Sequence, residues 1–73
     1  MSVPKLSRRE IEAALLALDY CTIKEIALKM HISYNNAGVV LYNIRRKLGA
    51  RCHAEMIVML LPFKETLGKV IIP

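Results

Sequence analysis

Several things are missing from this chain, and each absence narrows the field. No apolar run is long enough to cross a bilayer: the longest, Met56–Leu61, falls far short of the roughly 20 residues that a spanning helix needs. The opening stretch MSVPKLSRRE has no apolar core, so it does not read as a secretory signal. The two cysteines, Cys21 and Cys52, form no CxxC pair, and His31 and His53 do not complete a zinc-finger spacing. Cys52 and His53 are adjacent, and neighbours in sequence rarely make a metal site unaided. Reduced, partly buried thiols are therefore expected, with no metal and no cofactor. No nucleophile–base pair is visible, and so short a chain has little room for a substrate pocket, which argues against an enzyme. There is no low-complexity tract, linker or internal domain boundary.

What is present is apolar and basic. The chain has 73 residues, 55% of them hydrophobic, and a mean hydropathy of +0.35. One domain is expected, with a modest core. That much apolar surface on so small a chain suggests contact with a partner, self-association first. Eleven basic residues against six acidic ones give a net charge of +5. Such a balance suits an anionic partner such as nucleic acid or an anionic membrane surface. The expected setting is the cytoplasm. A membrane-surface role is not expected, since the most apolar helix lacks a basic polar face.

The helix-start grammar is strong. Ser7 with Glu10 three positions on makes a capping box, flanked by Leu6 and Ile11 at staple positions. It predicts a first helix over Arg8–Leu18 with an inward stripe of Ile11, Ala14, Leu15 and Leu18. Thr22 and Glu25 repeat the signal and predict a second helix over Ile23–Met30, with Ile23, Ile26, Ala27 and Met30 inward. His31-Ile32-Ser33 forms a corner, and Ser33 caps a third helix over Tyr34–Leu48 that ends at Gly49. A fourth helix is expected from Cys52 or His53 to about Leu61, kinked or ended by Pro62. Residues 63–67 are expected to add at most a turn before Gly68. The KVIIP tail reads as a short strand, a packed arm or disorder. The organisation is thus a leader over 1–5, a domain over 6–61 and a C-terminal extension over 62–73.

Two helices joined by a tight corner, the second with a basic end, make the layout of a helix-turn-helix. On the third helix Ala37, Leu41, Ile44 and Leu48 share one face and form the core stripe. The opposite face carries Asn35, Val39, Tyr42 and Arg46, with Gly38 beside them and Tyr34 and Asn36 near its start. In a major groove, Asn35 suits adenine, and Val39 and Val40 suit thymine methyl groups. Arg46 and Lys47 are better placed for phosphate. Lys24 and the amides at the start of the second helix suit another phosphate, as do groups around Ser33. The expected DNA-contacting set is Lys24, Ser33, Tyr34, Asn35, Asn36, Gly38, Val39, Tyr42, Arg46 and Lys47.

The fourth helix is apolar almost all round. Ala54, Ile57, Val58 and Leu61 are expected to face the core. Met56, Met59, Leu60 and Phe63 would then form an outward stripe, suited to a symmetric partner.

Four segments in order carry a resemblance: Leu6-Ser7-Arg8-Arg9-Glu10, Lys24-Glu25-Ile26-Ala27, Ile32-Ser33 and Asn43-Ile44-Arg45-Arg46-Lys47-Leu48-Gly49. Together they resemble the LuxR-type (GerE-like) DNA-binding domain over roughly residues 6–61. The resemblance implies an all-α, four-helix helix-turn-helix domain whose third helix reads the major groove. It implies a transcriptional regulator acting on double-stranded DNA as a dimer through its fourth helix. It also suggests a stand-alone member or an isolated fragment. The chain departs from the family inside the third helix. There the usual T-V-[KR]-x-H-like run is replaced by Asn36-Ala37-Gly38-Val39-Val40, so the family's operator preference does not carry over. Two functions follow: a DNA-binding homodimer, or an interaction module that forms mixed dimers with a related regulator and modulates its DNA binding.

Overall fold

A computed structural model describes residues 5–71, with side chains through Lys69. The elements in order are α1 (Arg8–Leu18), α2 (Ile23–Met30), α3 (Tyr34–Leu48), α4 (His53–Leu60), a 3-10 turn (Leu61–Phe63) and α5 (Lys64–Ile71). No strand occurs among the described residues, so the chain is all-α as expected.

The first three helices begin and end at the residues their caps predict. Ser7 Oγ accepts the Glu10 amide at 3.2 Å, and Glu10 Oε1 accepts the Ser7 amide at 2.8 Å. Thr22 and Glu25 make the same reciprocal pair at 3.1 and 2.9 Å. Ser33 Oγ takes the Asn36 amide at 3.1 Å and starts α3, and Gly49 ends it in the left-handed region at φ 73°. Two non-glycine residues also adopt that region, each closing a helix: Tyr20 after α1 (φ 64°) and His31 after α2 (φ 58°). The His31 amide reaches back to the Ala27 and Leu28 carbonyls, which makes the corner between α2 and α3 tight.

α1 is the central element and touches α2, α3, α4 and α5. Its buried residues are therefore more numerous than one stripe. Ala13 and Ala17 join Ile11, Ala14 and Leu18 in the core, and Leu15 is only partly covered. Alanines suit a helix surrounded on several sides, because small side chains let neighbours approach. Ile26 and Ala27 from α2, Ala37, Leu41 and Ile44 from α3, Met56 and Leu60 from α4, and Leu67 from α5 complete the core.

Two expectations need correction. First, α4 is turned the other way round. Met56 and Leu60 are fully buried, whereas Ala54, Val58 and Leu61 are exposed; Ile57 is half-buried and packs against the core. The expected outward stripe of Met56, Met59, Leu60 and Phe63 therefore does not exist. Met59 is exposed, and Phe63 is half-buried against the core. The physical reason is that α4 is apolar around its whole circumference, so periodicity carries no sense of direction there. The long Met56 and Leu60 side chains, one turn apart, fill the space beside α1 and α3, while Ala54 and Val58 are left outside.

Second, α4 gives way at Pro62 as expected, but Gly68 does not end the helical structure that follows. Pro62 lies within the 3-10 turn, where its missing N–H removes no helical hydrogen bond, and α5 follows at once. α5 runs through Gly68, so Lys69, Val70 and Ile71 are helical, not a strand or loose arm. Residues 1–4 of the expected leader and 72–73 of the tail lie outside the described residues. Leu67 is fully buried, and Lys64 Nζ stands 3.5 Å from Asp19 Oδ1 at the end of α1. No helix is long and apolar enough to cross a membrane among the described residues.

Candidate nucleic-acid interface

The core stripe of α3 fixes what its other face must show. Ala37, Leu41 and Ile44 are buried and Leu48 is half-buried, so Asn35, Val39, Tyr42 and Arg46 point away from the chain and are exposed. Tyr34, Asn36 and Asn43 are exposed as well. Val39 and Tyr42 keep 55% and 50% of their surface in solvent, so neither is used by the chain's own core. Val40 belongs elsewhere: it is half-buried and packs against the core, so it is not available to a thymine methyl group. Gly38 is half-buried, and apart from its chain neighbours and the nearby backbone of its own helix, no described atom comes within 4 Å of where a Cβ would stand. Packing inside the chain therefore does not require glycine at this position.

Tyr42 organises the basic end of the helix. The Arg46 guanidinium carbon lies 6.0 Å from the centre of its ring, and that of Arg45 lies at 5.7 Å. Both are within cation–π reach, a contact worth about 0.5–1 kcal/mol at an exposed site. Arg45 was not among the residues singled out by sequence. It is half-buried, and its Nε–H is buried without a hydrogen-bond partner. Its place three residues after Tyr42, hence beside it on the helix, was the signal that points to it.

Lys47 is committed differently from expectation. Its Nζ lies 2.7 Å from Glu10 Oε1, an oxygen that also accepts the Ser7 amide. The ammonium thus ties the end of α3 to the start of α1. Burial raises the Glu10 carboxyl's pKa, but the hydrogen bonds from Lys47 and Ser7 outweigh it and leave the group below its ordinary value. Ser33 spends its hydroxyl on the cap of α3, so its contribution to an interface is to set where that helix begins. Lys24 is exposed in the first turn of α2. Glu25, also exposed, is held below its ordinary pKa by hydrogen bonds from the Thr22 backbone and side chain.

Beside the exposed face of α3 lies an open hollow of about 440 Å³. Its wall joins Cys21 and Thr22 before α2 and Ile23 at its start, the α3 residues Gly38, Leu41, Tyr42 and Arg45, and His53 at the start of α4. Lys29 stands at this corner too, with Nζ 3.6 Å from Cys21 Sγ. Among the described residues no group of three or more potential metal ligands gathers.

Searches of curated proteins and of solved structures find no significant match. Comparison with family descriptions does: residues 4–60 match GerE, the bacterial regulatory proteins of the luxR family. That span includes all of α1 to α4, both capping boxes and the whole outward face of α3. It covers well over half of the chain, and the chain belongs to the LuxR family of bacterial regulatory proteins, whose shared domain is a DNA-binding helix-turn-helix.

Proposed function

We propose that this protein is a transcription regulator that lays α3 in the major groove of double-stranded DNA and works as a dimer through α4. One observation carries the groove assignment. Asn35, Val39, Tyr42 and Arg46 form a continuous outward face that has no part in the chain's own core. In this reading Asn35 pairs with adenine and Val39 packs on a thymine methyl group. Arg46 holds a phosphate, while Lys24 and the first amides of α2 hold another. Tyr34, Asn36 and the backbone at Gly38 approach the groove near the start of the helix. The net charge of +5 supplies the sequence-independent attraction. The setting that goes with this role is the bacterial cytoplasm.

The dimer surface in this proposal is the exposed side of α4, made of Ala54, Val58 and Leu61 with Met59 at its edge. The same surface fits a mixed dimer with a related regulator, and one observation favours keeping that second reading. Gly38 and Val40 stand where the family pattern has polar side chains, and Val40 turns toward the core. A chain with a weakened reading face would act by pairing with a better reader.

A DNA-selection experiment separates the readings. Asn35→Ala is expected to change the preferred sequence, while Arg46→Ala weakens binding to all sequences alike and makes its salt dependence shallower. Absence of binding at low salt by the homodimer, together with heterodimer formation on mixing, would favour the second reading. Reversed effects of the two substitutions would mean that α3 is oriented wrongly in the groove.

A further inference from the structure

One cation beside the reading face has no task in the account above. Arg45 is half-buried, lies on the wall of the hollow and has its Nε–H buried without a partner. No carboxylate lies within ion-pair distance of it among the described residues. Arginine cannot shed its charge to escape burial, so an unpaired N–H on this group destabilises the free protein until an acceptor arrives. Beside apolar side chains such as Ile23 and Leu41, the wall also carries donors. Tyr42 brings a phenol and His53 an imidazole. The Thr22–Glu25 capping box uses the amides of those two residues and leaves over the amides of Ile23 and Lys24. No acidic side chain lines the hollow.

We propose that this hollow seats one phosphodiester group of the DNA backbone, with Arg45 as the residue that grips it. The proposal rests on the DNA-binding reading and adds a contact outside the base-facing residues. A small turn of the guanidinium toward the hollow presents Nε–H and a terminal N–H as a fork to two phosphate oxygens. Tyr42, within cation–π reach of both arginines, then serves as a spacer: Arg46 is exposed on the outward face of the helix, and Arg45 lies on the wall shared with α2 and α4. Two phosphates are thereby engaged from one ring, which fixes the rotation of α3 about its own axis.

The test is a salt titration of duplex binding with wild-type protein and Arg45→Met, which keeps the length and apolar stem of the side chain. Loss of one phosphate contact is expected to weaken binding roughly tenfold on every sequence and to reduce the slope of log K against log salt by about one. The melting temperature of the free variant should stay level or rise, because the unpaired N–H is gone. A purely structural Arg45 would give the opposite pattern, with a lower melting temperature and an unaltered slope, and would overturn the proposal. If Arg45→Met does not fold, Arg45→Gln carries the same comparison. Wild-type protein that fails to bind duplex DNA at low salt removes the DNA-binding reading and this proposal with it; an unaltered slope in the variant, with wild-type binding intact, overturns the phosphate seat alone. A melting temperature raised by inorganic phosphate at constant ionic strength, again with an unaltered slope, would assign the hollow to a free anion instead of DNA.

Discussion

Glu10 joins two parts of the molecule at one oxygen. Oε1 takes the Ser7 amide at 2.8 Å and the Lys47 ammonium at 2.7 Å, so it caps α1 and clamps the basic end of α3 to it. Burial alone pushes this carboxyl toward protonation, and the donors on it more than reverse the effect. The consequence for pH has a definite sign. A carboxylate whose folded pKa lies below its unfolded value adds stability above the unfolded value, near pH 4.3, and loses it as pH falls through the lower folded one. Glu10→Gln should therefore cost about 2 kcal/mol at neutral pH, in the range for hydrogen bonds to a charged partner. The gap between variant and wild type should close as pH falls through the lowered folded value and the carboxyl takes up its proton. Urea midpoints at several pH values measure it, and a gap that stays constant would remove Glu10 from the acid sensitivity of the fold. Sequence pattern showed only half of this residue. The capping box at Ser7 and Glu10 is a local signal, whereas the partner 37 positions away is a matter of packing that no spacing rule contains.

At the scale of elements, the first three helices were written in their ends. Ser7, Thr22 and Ser33 start them, Gly49 stops the third, and each signal acts within one turn of chain, so sequence alone places the boundaries. The same holds for the outward face of α3, because its core stripe of Ala37, Leu41 and Ile44 is regular and its opposite side is polar enough to contrast. α4 lacks that contrast, and its inward side was settled by which side chains fit between α1 and α3. α5 was hidden by Pro62 and Gly68: the first does mark the end of α4, but a 3-10 turn leads straight into a new helix, and the second lies inside that helix. Its weight in the fold is testable. Leu67 lies beyond the residues that match the family, yet it is fully buried and its helix packs on α1. Leu67→Ala should cost about 3 kcal/mol, as for other large-to-small changes in a core. For a domain of this size that is a large share of the total stability. A change below about 0.5 kcal/mol by denaturant titration, the scale of surface substitutions, would show α5 to be an appendage that the core does without.

For the whole molecule, the arrangement puts three surfaces on one small body. The outward face of α3 carries the proposed reading groups, the hollow beside it borders α2 and α4, and the exposed side of α4 is apolar. The reversed orientation of α4 sharpens the prediction about assembly, because it separates residues that hold the chain together from residues free to meet a second copy. Met56→Asp would bury a charge in the core and should unfold the protein. Val58, with 65% of its surface exposed, tolerates a charge in the folded chain, so Val58→Asp should leave the melting temperature of the isolated domain nearly unchanged. In a symmetric dimer, however, one substitution places two like charges near the same axis. Sedimentation should then show a monomer. Binding to paired half-sites should fall by about a hundredfold or more, because linking two readers is worth that much through effective concentration, while binding to a single half-site stays the same. If Val58→Asp still sediments as a dimer and binds paired sites as the wild type does, the exposed side of α4 is not the contact, and the dimer axis must pass through another face.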